Sequence, residues 1–231
     1  MIKKIFTFDA GYEKMNKEYN KKDALFAIGL YFLVMLLYLC AGIVLVTWGV
    51  YLNVYVNLLS IVICIVIVLL RRQKLNTIGF TLNHFIRALV VGIIWGIAVS
   101  MLNIVPSIQA GGRWMGLNNL LWNIFFYLIV VGLQEELVFR GFILTRLHGA
   151  IKSEPVVAII TGLMFAMMHV PYQLFTRTGG NVIEFFIDNS FWLLTTFIWH
   201  FLFYFLYRKY NSLAAPTICH FLMNFSNTLF G

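Results

Sequence analysis

Two adjacent glutamates and an arginine interrupt an otherwise apolar part of the sequence. Glu135, Glu136 and Arg140 follow the apolar run 120–133. Placing one ionised side chain at the middle of a membrane helix costs roughly 2.5–3.5 kcal/mol on insertion scales, so residues of this kind predict a functional site. Glu136 and Arg140 are four residues apart and can pair on one helix face. Glu135 is turned about 100° away from Glu136 and can face a chamber.

Two histidines and an asparagine extend this set. His169, His220 and Asn224 lie in later apolar segments. His220 and Asn224 share a helix face at i,i+4 spacing, which would let the amide orient or assist the imidazole. Together with Glu135, these side chains can activate water and stabilise an oxyanion, so they predict hydrolysis inside a lipid bilayer. His200 matches no such pattern and is predicted to be structural.

The candidate residues are predicted to lie at similar depths in the membrane. At a rise of 1.5 Å per residue, Glu135 and His220 lie about 17 Å, and His169 about 21 Å, from the cytoplasmic surface. The positions taken to mark that surface are Arg146, Pro155 and Lys209. Three helices would therefore line one polar chamber near the middle of a hydrocarbon core about 30 Å thick. We expect this chamber to be reached from the cytoplasm.

The elements that must position these residues are membrane-spanning helices. The chain has 231 residues, of which 61% are hydrophobic and 11% charged, whereas a soluble domain has about 25% charged residues. No polar stretch is long enough to bury a separate soluble core. We therefore predict an all-α polytopic membrane protein, a bundle of about seven transmembrane helices around an intramembrane polar chamber. The predicted spans are 24–49, 53–70, 86–105, 119–147, 155–171, 185–207 and 212–230.

Basic residues predict the orientation of the chain. With a cytoplasmic amino terminus, 15 of the 17 Lys and Arg residues fall on the inside, and Arg113 and Arg177 fall outside. Because Arg140 is nominally within a span, 14 against 2 is the fairer count. This asymmetry predicts a multi-pass protein of the cell membrane with its amino terminus inside and its carboxyl terminus outside. Residues 1–23 would form a cytoplasmic tail, and 24–110 would supply three amino-terminal transmembrane helices.

Net charge adds no further class of partner. The chain carries a formal charge of +8, which is explained by cytoplasmic loops that face anionic lipid. No basic stripe with interleaved aromatic residues is present, so the sequence does not predict nucleic-acid binding. The lipid bilayer itself is the first predicted partner.

Three short motifs, each in an apolar segment, resemble those of the CPBP family, the CAAX proteases and bacteriocin-processing enzymes that are also called Abi proteins. In order, the motifs are Glu135-Glu136-x-x-x-Arg140, Phe165-x-x-x-His169 and His220-x-x-x-Asn224. The resemblance covers about 130–230 and implies that 119–231 forms a catalytic transmembrane core. Within the first motif, the resemblance implies that Glu136 and Arg140 hold the site together or hold the end of the substrate.

The resemblance also implies roles for the other motif residues in an intramembrane endopeptidase. Glu135 would be the general base that activates water, and His169 would position that water or share the work of the base. His220 and Asn224 would polarise the scissile carbonyl and form an oxyanion hole. The substrate would be a peptide or a membrane-anchored protein, with bacteriocin or pheromone maturation and self-immunity as expected biological roles.

The resemblance leaves the cofactor open between none and a single zinc ion. A zinc site would need Glu135 as a ligand beside His169 and His220, since no HExxH motif is present. Such a ligand could not also serve as the base, which favours the metal-free mechanism.

Two other functions compete with proteolysis. A non-enzymatic membrane immunity or scaffold protein could keep the same fold, but it has no need to bury Glu135, His169 and His220. A proton-coupled transporter could also use carboxylates and imidazoles at mid-membrane. Transporters usually show repeated halves with broken helices, and the sequence shows neither. The oligomeric state is left open.

Overall fold

The computed structural model describes residues 8–114 and 119–229, and every regular element in these ranges is a helix. This confirms the predicted all-α fold. The helices are α1 Ala10–Glu18, α2 Lys21–Trp48, α3 Asn53–Leu70, α4 Phe85–Gln109, α5 120–147, α6 Glu154–Met168, α7 Val170–Thr178, α8 Val182–Tyr210 and α9 Ala214–Ser226. A single 3-10 turn, Leu75–Ile78, lies between α3 and α4.

Several of these helices can cross a membrane, which makes the chain a multi-pass membrane protein. Within the described residues, five stretches are long and apolar enough to do so: α2, α3, α4, the continuous stretch formed by α6 and α7, and α8. The two other predicted spans correspond to α5 and α9. The 13 residues of α9 rise about 20 Å, which is less than the roughly 30 Å hydrocarbon core. The predicted end of this last span, residue 230, lies outside the described residues.

The predicted cytoplasmic tail contains a docked helix. Within α1, Tyr12 is fully buried, and its hydroxyl donates a hydrogen bond of 2.9 Å to Glu154 Oε1. Burial, reinforced by the Glu154 charge, raises the pKa of Tyr12 well above its usual value, so the phenol remains a donor. Residues 1–7 of the predicted tail lie outside the described part of the chain.

A capping box starts α2 and ties it to a neighbouring loop. The Asn20 side chain accepts hydrogen bonds from the backbone N–H groups of Lys22 and Asp23, and Asp23 accepts one in return from the Asn20 N–H. Such reciprocal bonds satisfy the free donors at a helix start. Asp23 also pairs with Arg71 at 3.1 Å, which fixes the end of α3 beside the start of α2.

Basic residues that were predicted to be cytoplasmic gather at one end of the bundle, which we call the basic end and define by α1, the loop 71–84 and residues 146–154. Arg146 was expected at the membrane surface, but its side chain is only 1% exposed. Its guanidinium donates hydrogen bonds to the Thr77 carbonyl and to Gln73. A long side chain that finds several acceptors can be buried without leaving its charge uncompensated.

Glycines bring α4 and α9 into close contact. A Cβ atom added to Gly92 would lie 2.6 Å from the Ala215 carbonyl, and one added to Gly96 would lie 2.6 Å from Leu222. Small residues at such positions let membrane helices approach backbone to backbone. This packing sets α9, which carries His220, against the middle of α4.

Two irregular helices carry most of the candidate residues. Within α5, the segments Phe126–Leu133 and Glu136–Leu144 are π-helical, and only Gln134 and Glu135 between them keep α-helical winding. α6 ends at Met168 and α7 begins at Val170. Pro171 explains this break, because a proline ring clashes with the carbonyl four residues earlier. His169 therefore lies at a junction between two helices, whereas the sequence predicted one span over 155–171.

Candidate active site

The four predicted catalytic residues line one cavity of about 400 Å³. They are Glu135 from α5, His169 from the junction of α6 and α7, and His220 and Asn224 from α9. Aromatic side chains supply much of the remaining wall: Tyr127, Phe165, Trp192, Trp199 and Phe203. The predicted convergence of three helices on one polar chamber is therefore present in the structure.

Glu135 lies between the two histidines. Its Oε1 is 3.9 Å from His169 Nε2, and its Oε2 is 3.7 Å from His220 Nε2. Both separations exceed hydrogen-bond length. The side chain is 10% exposed, and Oε2 has no hydrogen-bond partner among the described residues. A buried carboxylate with an unsatisfied oxygen, open to a cavity, is suited to bind water or a polar substrate group.

Hydrogen bonds on the far side of each ring turn both Nε2 atoms towards Glu135. His169 Nδ1 lies 2.9 Å from the Phe165 carbonyl oxygen, and His220 Nδ1 lies 2.8 Å from Glu136 Oε1. A carbonyl and an ionised carboxylate only accept hydrogen bonds, so both Nδ1 atoms carry the hydrogen. In the neutral tautomer, each Nε2 therefore presents a lone pair to the cavity.

The predicted ion pair between Glu136 and Arg140 is present, and it lies outside the cavity lining. Glu136 Oε1 lies 3.2 Å from Arg140 Nη1, and neither side chain is exposed. The Arg140 guanidinium also lies 4.0 Å from the ring centroid of Phe165 and 5.1 Å from that of Phe203. Phe203 in turn stacks on His220 at 4.5 Å between ring centroids. Charge pairing and cation–π contacts together compensate a cation buried in the bundle.

Glu136, and not Asn224, orients the His220 ring. Asn224 lies on the same face of α9 and lines the cavity, whereas the short contact to His220 Nδ1 comes from Glu136. Asn224 is thereby left as a lining residue of the cavity that a substrate could meet. His200, predicted to be structural, is fully buried and packs beside Phe165 at 6.1 Å between ring centroids.

Sequence reasoning missed the aromatic residues that hold the histidines. Trp192 meets His169 edge to face at 5.3 Å between centroids, and Phe203 stacks on His220. Both belong to α8, where aromatic residues are frequent along the whole helix. Nothing in that pattern distinguishes a residue that faces the cavity from one that faces lipid.

The cavity extends away from the basic end. On α8, Arg208 reaches Glu13 and Glu154 at the basic end, whereas the cavity is lined by positions from Trp192 to Phe203. On α4, the lining positions fall within 99–103, in the half that is remote from the basic loop 71–84. The space beside Glu135 thus extends into the half of the bundle opposite the basic end, and access from the basic, predicted cytoplasmic side stays a prediction.

The donor set of the site resembles that of zinc hydrolases, which use imidazoles and a carboxylate. Over 8–114 and 119–229, however, no group of three or more His, Cys, Asp or Glu side chains has a geometry that could hold a metal ion. Glu135, His169 and His220 therefore do not form a ready zinc site as they are placed.

Comparison with known proteins finds a family match in the carboxy-terminal part of the chain. Residues 117–226 match the family model described as Type II CAAX prenyl endopeptidase Rce1-like. This range contains all three motifs and confirms the resemblance to the CPBP family. It supports a CAAX-type membrane protease and a peptide or protein substrate in a lipid bilayer. No curated protein gives a significant match to the sequence.

Proposed function

Because residues 117–226 match the Rce1-like endopeptidase family model, we propose that the chain is an intramembrane endopeptidase that uses Glu135 to activate water. The observation that carries this proposal is the placement of Glu135 between the Nε2 atoms of His169 and His220 in a cavity. The substrate is a peptide or a membrane-anchored protein whose scissile bond enters that cavity.

Water activation follows from the gap between Glu135 and His169. A water oxygen about 2.8 Å from both Glu135 Oε1 and His169 Nε2 would donate one hydrogen to each acceptor. Such a water keeps its lone pairs directed into the cavity. As its oxygen attacks the scissile carbonyl carbon, one proton passes to the Glu135 carboxylate, which acts as the general base.

His220 and Asn224 stabilise the oxyanion by hydrogen bonding. A protonated His220 would donate from Nδ1 to Glu136 and from Nε2 to the developing oxyanion. The Nδ1 atom lies 2.8 Å from the buried Glu136 carboxylate, which fixes the ring with Nε2 towards the cavity. The Asn224 amide N–H adds a second donor from the same helix face. Donors of this kind typically contribute about 10²- to 10³-fold to the rate.

Collapse of the tetrahedral intermediate completes the reaction. The C–N bond breaks, and the proton held by Glu135 passes to the departing amine nitrogen. The water oxygen remains in the new carboxyl group, and Glu135 returns to its ionised form. The reaction therefore consumes one water and needs no redox partner.

The biological setting follows the sequence-based expectations. The basic end faces the cytoplasm, the carboxyl terminus faces outwards, and the protein resides in the cell membrane. Maturation of a bacteriocin or pheromone peptide, or self-immunity, suits such an enzyme. An extension of the cavity away from the basic end favours cleavage in the outer half of the bilayer.

The test is cleavage of a panel of reporter peptides by purified protein in detergent or liposomes. The variants are Glu135→Gln and His169→Ala, with His84→Ala as the control because His84 is exposed and remote from the cavity. Each protein is assayed with and without a strong chelator. We expect the control to cleave, both site variants to lose cleavage, and the chelator to leave wild-type activity intact.

Other outcomes would change the conclusion. Activity that is lost with chelator and restored by zinc would recast Glu135 and the two histidines as metal ligands. Absence of cleavage by every form across a broad panel, or a Glu135→Gln protein that still protects cells from a bacteriocin, would favour the immunity or scaffold protein.

A further inference from the structure

A polar cluster from three helices lies behind the candidate active site. Tyr38 on α2, Asn57 on α3 and Gln134 on α5 are 7%, 6% and 0% exposed, respectively. The Tyr38 hydroxyl donates to Asn57 Oδ1 and also lies 3.4 Å from Gln134 Oε1. Polar side chains buried between apolar membrane helices are costly unless they are hydrogen-bonded, so such a cluster calls for a role.

The cluster reaches the candidate base through its chain neighbour. Gln134 and Glu135 form the short α-helical stretch between the two π segments of α5. A side chain that fixes Gln134 therefore also fixes the backbone from which Glu135 projects.

One atom of the cluster lacks a partner. Gln134 Nε2 is buried, and within the described residues no hydrogen-bond acceptor meets it. Buried amide donors are nearly always satisfied, so an exception calls for an explanation. If the cluster served only to join helices, the Tyr38–Asn57 bond would be enough, and an apolar side chain at 134 would avoid the unsatisfied donor.

We propose that Tyr38, Asn57 and Gln134 form a positioning network that holds Glu135 in its orientation towards the cavity. This inference rests on the proposed function. It gives α2 and α3, which lie outside the family-matched range 117–226, a direct part in organising the site. None of the three side chains lines the cavity, so they act through Glu135 and do not touch the substrate.

The test is a double-mutant cycle with steady-state kinetics on a peptide that the wild type cleaves. The variants are Tyr38→Phe, Gln134→Met and the combination of both. Ser60→Ala is the matched control, because Ser60 is buried in α3 and, among the described residues, its hydroxyl bonds only to the Val56 carbonyl of its own helix. Thermal unfolding of every variant is measured in the same detergent.

A positioning network predicts a loss in kcat with little change in KM. Since a misplacement of about 1 Å can cost on the order of 10²-fold in rate, each single variant should lower kcat about tenfold or more while KM changes less than about twofold. The double variant should be no slower than the slower single variant, because the residues act as one unit. Ser60→Ala should keep the wild-type kcat.

Other kinetic results would contradict the proposed positioning network. If Tyr38→Phe and Gln134→Met both keep the wild-type kcat, or if their effects multiply in the double variant, the network does not position Glu135. If Tyr38→Phe cannot be folded, Gln134→Met decides the question by its own kcat and KM. If the wild type cleaves no peptide, the proposed function fails first and this inference fails with it.

Discussion

The Nδ1 atom of His220 lies 2.8 Å from Oε1 of Glu136. The same oxygen lies 3.2 Å from Arg140 Nη1, so the second glutamate of the adjacent pair bridges the imidazole and the buried guanidinium. Glu135, one residue earlier, faces the cavity and has an oxygen without a partner among the described residues. Two chemically identical neighbours thus have different surroundings, and they should respond differently to the same substitution.

The variants Glu135→Gln and Glu136→Gln should have the same effect on activity but different effects on stability. Both variants should lose cleavage, but only Glu136→Gln should also lose much stability, because it leaves the charge of Arg140 uncompensated in the bundle interior. Breaking a buried pair in this way costs about 3–5 kcal/mol. Thermal unfolding and reporter cleavage of the two purified variants measure these effects. Equal thermal midpoints for the two would contradict the assignment of a structural role to Glu136.

Phe165→Leu should destabilise the protein. The Phe165 ring lies 4.0 Å from the Arg140 guanidinium and 5.3 Å from the centroid of His169. A desolvated cation–π contact is worth about 2 kcal/mol, so the thermal midpoint should fall and cleavage should weaken. Phe191→Leu is the control, since Phe191 is 76% exposed on the lipid-facing surface. If both variants unfold at the same temperature, the ring does not support Arg140.

Thr196→Trp should block the cavity. Thr196 lines the cavity, and its hydroxyl bonds to the Trp192 carbonyl of its own helix, so a bulky replacement fills substrate space and the hydrogen bond that it removes lies within α8. We expect KM to rise at least about tenfold, because uniform substrate binding is lost. Thr47→Trp is the matched control, as Thr47 is exposed and bonds to the Ile43 carbonyl in the same way.

In that comparison, unchanged cleavage by Thr196→Trp would show that the substrate enters elsewhere. The apolar groove between Phe80 and Leu213 at the basic end would then become the next candidate entrance.

Cysteine labelling in intact cells should establish the orientation. In a background without the native Cys40, Cys64 and Cys219, an impermeant thiol reagent should modify Arg113→Cys and spare Lys152→Cys until the cells are opened. Both positions are exposed in the structure, so failure to label reports the membrane barrier and not burial. The reverse pattern would invert the topology predicted from the basic residues.

The motif residues could be predicted from sequence because helix geometry carries the necessary information. The i,i+4 spacing brings Glu136 and Arg140 together, and the 1.5 Å rise places Glu135 and the two histidines at matched depth. Charged residues in apolar runs are rare, so each one raises the hypothesis of a site. The structure brings Glu135 and the two histidines to one cavity, although Glu136–Leu144 is π-helical and Arg146 is buried, so neither the assumed rise nor the surface marker holds for α5.

The remaining features depend on contacts between distant segments. Arg146 was expected at the surface, but Thr77 and Gln73 supply acceptors from a loop about 70 residues away in the chain. The direction of the cavity depends on how α4, α8 and α9 cross, which spacing along one helix does not specify. Pro171 did signal the break at His169, but the apolar run continued through it and suggested one uninterrupted span.

The π-helical winding of α5 makes this helix tolerant of a one-residue deletion. A π-helical hydrogen bond joins residues five apart, so each such turn holds one residue more than an α-helical turn. Deleting a residue from a regular α-helix rotates everything beyond it by about 100°. In Phe126–Leu133, the same deletion can be absorbed by a return to α-helical winding. Proteins that are one residue shorter in this stretch can therefore present the two glutamates to the same neighbours, so a gap at this point in a sequence alignment does not imply loss of the site.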